Sequence, residues 1–159
     1  MINALKTLIF TVLVPGTVIV VLPRSLLPPG AEPHWSGLGI LAVLMMALGA
    51  AAYFRCAWDF SFAGQGTPAP IDPPKKLVAR GLYRRVRNPM YLGVLLVGFG
   101  EGLLFRSPEI LRYTLLVALL FHLFVVFYEE PVLRAKFGAD YENYSKRVGR
   151  WIPNLIRRL

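Results

Sequence analysis

Apolar and polar stretches alternate along this chain in blocks too long for a soluble fold. The first apolar block, residues 7–22, stands behind one lysine, Lys6, and runs into Pro23-Arg24-Ser25-Leu26 with no small-residue cleavage site. It is expected to be a retained span, kinked at Pro15-Gly16. The proline-rich connector 23–33, with Pro28-Pro29-Gly30, ends that helix and forms a short exterior loop. Residues 35–54, WSGLGILAVLMMALGAAAYF, carry no charge, have aromatic rings at both ends and match the ~20 residues a hydrocarbon core requires. Residues 55–76 are polar and turn-rich, with Trp58, Phe60 and Phe62 placed to lie at the interface.

The third block, 90–104, is short: at ~1.5 Å per residue its ~15 residues fall below a ~30 Å core. Gly93, Gly98, Gly100 and Gly102 within it allow a neighbouring backbone or a ligand to approach closely. A tight link, Arg106-Ser107-Pro108-Glu109, joins it to the fourth block, 110–128, so these two elements form an antiparallel hairpin. The remainder, 129–159, is an amphipathic, charged tail with a helix around 132–137 and a break at Gly138. The pattern predicts an all-α, polytopic membrane helix bundle of about four transmembrane helices, forming one domain over 1–159.

Composition agrees with that reading. The chain is 55% hydrophobic and only 17% charged, with a mean hydropathy of +0.52. Its net charge of +9 is carried by residues that flank the apolar blocks, so anionic lipid headgroups, and no nucleic acid, are the expected counter-charge. Lysine and arginine crowd the 55–87 connector and the tail, whereas the other two loops hold Arg24 and Arg106. The positive-inside rule then places both termini in the cytoplasm, as for a multi-pass protein of a bacterial inner membrane. The same sidedness holds if the last hairpin dips in without crossing. The single cysteine, Cys56, excludes an internal disulfide and a cysteine-based zinc site, and reads as a small buried hydrophobe; no metal site is expected.

Most of the unusual chemistry sits in residues 77–93, LVARGLYRRVRNPMYLG, which pack Arg80, Arg84, Arg85 and Arg87 before Asn88-Pro89 opens the third block. The hairpin brings this end to the depth of Tyr128-Glu129-Glu130-Pro131 at the close of the fourth block. Cations, carboxylates and aromatic rings in one pocket suit a zwitterionic ligand or a sulfonium. Each feature also has a plainer explanation. The arginines anchor to anionic lipid at ~1 kcal/mol each, and the two glutamates pair with surface cations of the tail. His122 is a packing histidine on the face of Glu129, Glu101 faces protein or leans toward Arg106 or Arg112, and Tyr141 and Tyr144 are interface anchors.

Residues 77–93 together with EEPVLRAKFGADYENYSKRVGRWIP, from Glu129 onward, resemble the C-terminal half of the isoprenylcysteine carboxyl methyltransferase and phospholipid methyltransferase superfamily, over residues 75–153. The resemblance implies an integral membrane enzyme that binds S-adenosylmethionine where the hairpin meets the cytosol and methylates a membrane lipid or lipid-anchored substrate. Its cofactor contacts would fall on Leu77, Val78, Tyr83, Asn88, Pro89, Met90, Tyr91 and Glu129. In the phospholipid branch, Gly98, Gly100 and Glu130 would join them. An in-line displacement needs mainly alignment and exclusion of water, and Glu130, His122 and Glu101 are the acid–base candidates. The chain departs from the prenylcysteine enzymes in carrying Asn88 for histidine, and Val125 where they place a substrate-handling arginine. Prenylcysteine, phospholipid amines and small thiols therefore all stand as acceptors. A membrane reductase on a related scaffold is a rival, though no phosphate-cradling glycine loop is visible, and a non-catalytic accessory protein of the same fold is another.

Overall fold

The computed structural model describes residues 2–64 and 76–154; the turn-rich part of the long connector, 65–75, lies outside them. Helix α1, Ile2–Leu13, gives way at Val14 to a turn, then to a π-helical stretch, Thr17–Val21, and the short α2, Leu22–Ser25. The expected kink at Pro15-Gly16 thus falls inside a real interruption. The expected stop at Pro23 does not occur. Pro23 occupies the first turn of α2, where its missing N–H leaves no donor unpaired.

Helix α3, Gly37–Asp59, starts at Ser36, whose hydroxyl accepts from the Gly39 amide. It passes beyond the expected end at residue 54 and continues as a π-helical turn, Phe60–Gly64. The reason is local neutralisation. Arg55 lies 3.3 Å from Asp59 one turn later, and Arg80 reaches the same Asp59 oxygen at 2.9 Å, so the charges that marked a loop in the sequence are paired inside a helix. Trp58 and Phe62 stack at 4.3 Å on the exposed side, while Phe60 turns inward onto Tyr83.

Helix α4, Pro89–Leu104, is linked to α5, Pro108–Phe124, by a turn in which Arg106 takes φ 47° and Ser107 caps Ile110. A further π-helical turn, Val125–Glu129, joins α5 to α6, Glu130–Phe137; Gly138, at φ 50°, then separates α7, Ala139–Arg147. Three helices, spanning Lys6–Ser25, Gly37–Phe62 and Pro108–Phe137, are long and apolar enough to cross a bilayer, and the shorter apolar helix is Pro89–Leu104. Leu44, Leu48, Leu115, Leu116, Leu119 and Leu120 stay exposed on the outer helices, as lipid-facing positions should.

Helix α4 is short because it is the inner one. Its glycines set how closely its neighbours approach: a Cβ on Gly93 would stand 2.7 Å from the Gly49 carbonyl of α3, and one on Gly98 would stand 2.7 Å from Thr114 Oγ1 of α5. Gly93→Ala should accordingly lower the thermal midpoint of the detergent-solubilised protein, at a cost of about 1–3 kcal/mol of overpacking. An unchanged midpoint would mean that α3 and α4 do not touch there. Contacts between Thr11 and Tyr53 hydroxyls (2.9 Å) and from Ser61 to Thr7 (2.9 Å) tie α1 to α3.

Candidate functional site

The site grows from the way the chain enters and leaves the α4–α5 hairpin. Before α4, a 3-10 turn, Gly81–Arg84, is docked against the end of α3. Gly81 makes this possible. Its φ is +56°, and a Cβ would lie 2.6 Å from the buried Asp59 carboxylate. Tyr83 is consequently buried against Cys56 and Val78, with Met90 closing the cluster. Burial first, and then the neighbouring Cys56 and Glu129, holds the Tyr83 phenol well above its ordinary pKa, so it stays a neutral hydroxyl.

After α7 the chain returns. Val86 pairs with Gly149 in a parallel bridge, the Arg87 amide donates to the Gly149 carbonyl at 2.8 Å, and Asn88 Nδ2 donates to the Arg150 carbonyl at 3.2 Å. Asn88, only 6% exposed, is thus spent holding the tail, and its side chain does not cap α4. Pro89 begins the helix and Met90 packs inward toward both α3 clusters. Leu77 packs on the Tyr141, Tyr144 and Val148 cluster. Those two tyrosines are buried, not interface anchors: Tyr144 Oη donates to the Tyr83 carbonyl at 2.7 Å, and Tyr141 Oη accepts from Arg87 at 3.3 Å.

The adjacent glutamates have opposite surroundings. Glu130 is 4% exposed, and its carboxylate accepts a two-pronged contact from Arg150, Nε at 2.7 Å and Nη2 at 3.0 Å. Arg87 adds a contact at 3.1 Å and Arg134 a looser one at 3.8 Å. The plainer sequence reading pairs both glutamates with solvated cations of the tail; Glu130 does meet tail arginines, but as the buried anchor of a charge cluster. Glu129 has no ion pair among the described residues. Its Oε2 accepts from the Tyr91 hydroxyl at 2.9 Å, its one hydrogen bond among the described residues. Around that pair stand aromatic rings: Phe121 lies 4.7 Å from the Tyr91 ring and Trp151 lies 6.4 Å from it. Trp151 in turn donates its indole N–H to His122 Nδ1 at 3.1 Å.

Other sequence candidates stand elsewhere. Gly98 and Gly100 face Thr114 and the Ala42–Met46 stretch of α3, so their open sides are filled by helix packing, not by ligand space. Glu101 is in the same half of α4. Its Oε2 is buried and has no hydrogen-bond partner among the described residues, so Glu101 faces protein. Val125 is 1% exposed. Sequence reasoning missed Asp59, Phe121, Arg150 and Trp151. Arg150 and Trp151 had a signal in the RWIP run, but nothing in the sequence says that the tail folds back to α4.

A carboxylate with one hydroxyl partner among the described residues, next to the Tyr91 ring and its neighbours Phe121 and Trp151, offers an acceptor beside aromatic faces. Aromatic faces attract a sulfonium or stack on a base, and a partner-poor carboxylate accepts from hydroxyl or ammonium groups. Comparisons with known proteins point the same way. The model of the family described as phospholipid methyltransferase matches residues 38–140. A "Probable protein-S-isoprenylcysteine O-methyltransferase" of Oryza sativa subsp. indica is 34% identical over 79 residues, 49% of this chain and 41% of its own length. Protein-S-isoprenylcysteine O-methyltransferase A of Arabidopsis thaliana is 26% identical over 83% of this chain and 67% of its own length. Methanethiol S-methyltransferase of Pseudomonas deceptionensis is 35% identical over 48% of this chain and 28% of its own length. The chain thus spans well under half of the rice and Pseudomonas relatives and two thirds of the Arabidopsis one. The matched model covers α3 through the break at Gly138, the elements that carry Asp59, Tyr83, Tyr91 and the two glutamates, and the chain belongs to the phospholipid methyltransferase family.

Proposed function

We propose that this protein is an S-adenosylmethionine-dependent membrane methyltransferase that acts on a lipid-like or membrane-partitioned acceptor from the side of the membrane where both termini lie. The observation that carries this reading is the Tyr91–Glu129 hydrogen bond in its aromatic setting, at the end of the hairpin where the matched family model and the tail converge. When bound, S-adenosylmethionine supplies an electrophilic methyl group. The chain's own residues do the rest. Tyr91 fixes the Glu129 carboxylate, Phe121 and Trp151 give it a low-water surround, and Met90, Val78 and Tyr83 form the floor on α3. Orientation and water exclusion of this kind are worth up to ~7–11 kcal/mol of barrier.

Glu130 is a positioning residue in this reading, because the arginines that close on it leave no free oxygen for a proton. Asn88 acts likewise, by holding the tail that carries Trp151. Gly98 and Gly100 stand outside the cofactor site and serve helix packing. For the acceptor, Val125 matters: where a prenylcysteine enzyme needs a guanidinium for a substrate carboxylate, this chain has a buried hydrocarbon. That favours an amine or thiol nucleophile over a carboxylate.

Thermal shift of the detergent-purified protein tests this. S-adenosylhomocysteine and S-adenosylmethionine should raise the midpoint in proportion to ln(1 + [L]/Kd), about 2.7 kcal/mol at a hundredfold excess over Kd, while NADPH should not. Stabilisation by NADPH alone would replace the reading with a reductase; no response to any of the three would favour an accessory protein.

A further inference from the structure

The arginines at this end of the molecule divide into two sets. Arg55 and Arg80 lie on Asp59, and Arg87, Arg134 and Arg150 lie on Glu130. Arg84, Arg85 and Arg147 have no carboxylate partner among the described residues; Arg147 spends only its Nε, on the Asn143 carbonyl. These three arginines line a single cavity of about 320 Å³, together with Tyr144, Val148 and Asn154, and no acidic residue is among its described lining. In the sequence the cluster reads as one group, either part of a pocket with the carboxylates or an anchor to anionic lipid. In the structure most of it is neutralised, and the remainder is concentrated.

Guanidinium groups gathered around one cavity repel each other unless an anion joins them, and their planar forks match the paired oxygens of a phosphate. The volume is at the lower end of the ~300–1,000 Å³ typical of small-ligand pockets, which suits a headgroup and not a nucleoside with its base. The neighbouring Ile152 is 75% exposed, giving the rim an apolar edge. We propose that this cavity is a discrete binding site for a phosphate group, whose sources are an anionic lipid headgroup or a free phosphate. A phosphate there joins the Gly81–Arg84 turn to the tail, the same two segments that the Val86–Gly149 bridge holds together. Its occupation therefore stiffens the closure that sets Arg150 on Glu130, and neither Tyr91 nor Glu129 lines it. The inference is independent of the methyl-transfer reading.

The test uses the full chain in detergent, with thermal shift and native mass spectrometry read in parallel. The probes are phosphatidic acid, phosphatidylcholine and inorganic phosphate, and the proteins are wild type, the double variant R84Q/R85Q, R147Q, and R112Q, which removes one exposed charge on α5 as R147Q does at the cavity. Phosphatidic acid should bind one to one and raise the midpoint by several degrees. Affinity should fall at least tenfold in R84Q/R85Q and in R147Q, and remain in R112Q. An equal response to millimolar inorganic phosphate would assign the site to free phosphate; a response to phosphatidic acid alone would assign it to lipid. The proposal is overturned if R112Q loses as much as the site variants, or if neither phosphatidic acid nor inorganic phosphate binds. S-adenosylhomocysteine binding should persist in every variant, so a failure here is told apart from a failure of the enzyme reading.

Discussion

Glu129→Ala is expected to weaken S-adenosylhomocysteine binding by about 10–100-fold while leaving the ligand-free protein nearly as stable as before. Among the described residues the carboxylate makes a single hydrogen bond, from Tyr91 at 2.9 Å, and no ion pair. Little folding energy therefore depends on it. Toward a ligand the position is different, because a charge-assisted hydrogen bond to a hydroxyl or ammonium group contributes ~1.5–3 kcal/mol, and each ~1.4 kcal/mol is tenfold in Kd. Tyr91→Phe separates the two parts of the site. It keeps the ring against Phe121 at 4.7 Å but removes the donor that orients Glu129. That donor orients the carboxylate and does not itself bond the ligand, so the loss should be smaller, roughly fivefold, or ~1 kcal/mol. Calorimetric titration of both variants checks this. Unchanged affinity in Glu129→Ala would take that residue out of the site.

The second large effect runs the opposite way. Glu130→Ala should destabilise the protein by about 3–5 kcal/mol, because it strands Arg87, at 11% exposure, and the half-covered Arg150 without their counter-charge. At ~2–4 °C per kcal/mol for a chain of this size, the midpoint should drop by about 10 °C. Arg134→Ala is the control. Its side chain is 51% exposed and 3.8 Å from Glu130, and solvent screening should hold its contribution below ~1 kcal/mol. The tail should also become accessible to protease in Glu130→Ala, since Arg150 no longer holds it down. A midpoint within a degree of wild type would show that the charge cluster is not the anchor of the tail.

The sequence carried the helices and the hairpin well, because an apolar block has to bury its backbone polar groups in a helix whatever its neighbours are. It read the ends of those helices poorly. Arg55 and Asp59 looked like the start of a loop, and only the partner Arg80, supplied from beyond the connector, shows that the charges are paired inside α3. The π-helical turn at Val125–Glu129 has no signature in the sequence, yet it lies where α5 passes into the helix bearing Glu130. Glu129 and Glu130, indistinguishable as neighbours in the chain, acquire different roles from what reaches them: a tyrosine for one and arginines for the other. The paired motifs lie at the two ends that the hairpin brings together, while Gly98 and Gly100 pack against α5 and α3. The tail's return to Val86 and Asn88 is a long-range contact between polar backbone groups, which no local pattern encodes.

The location of the nucleoside is the point on which the account turns, and photolabelling addresses it directly. Ultraviolet irradiation of the full-length protein with methyl-labelled S-adenosylmethionine, followed by peptide mapping, should place the label on the aromatic residues around Glu129, above all Tyr91 and Trp151, and excess S-adenosylhomocysteine should suppress it. Competable label confined to peptides away from both ends of the α4–α5 hairpin would contradict the account.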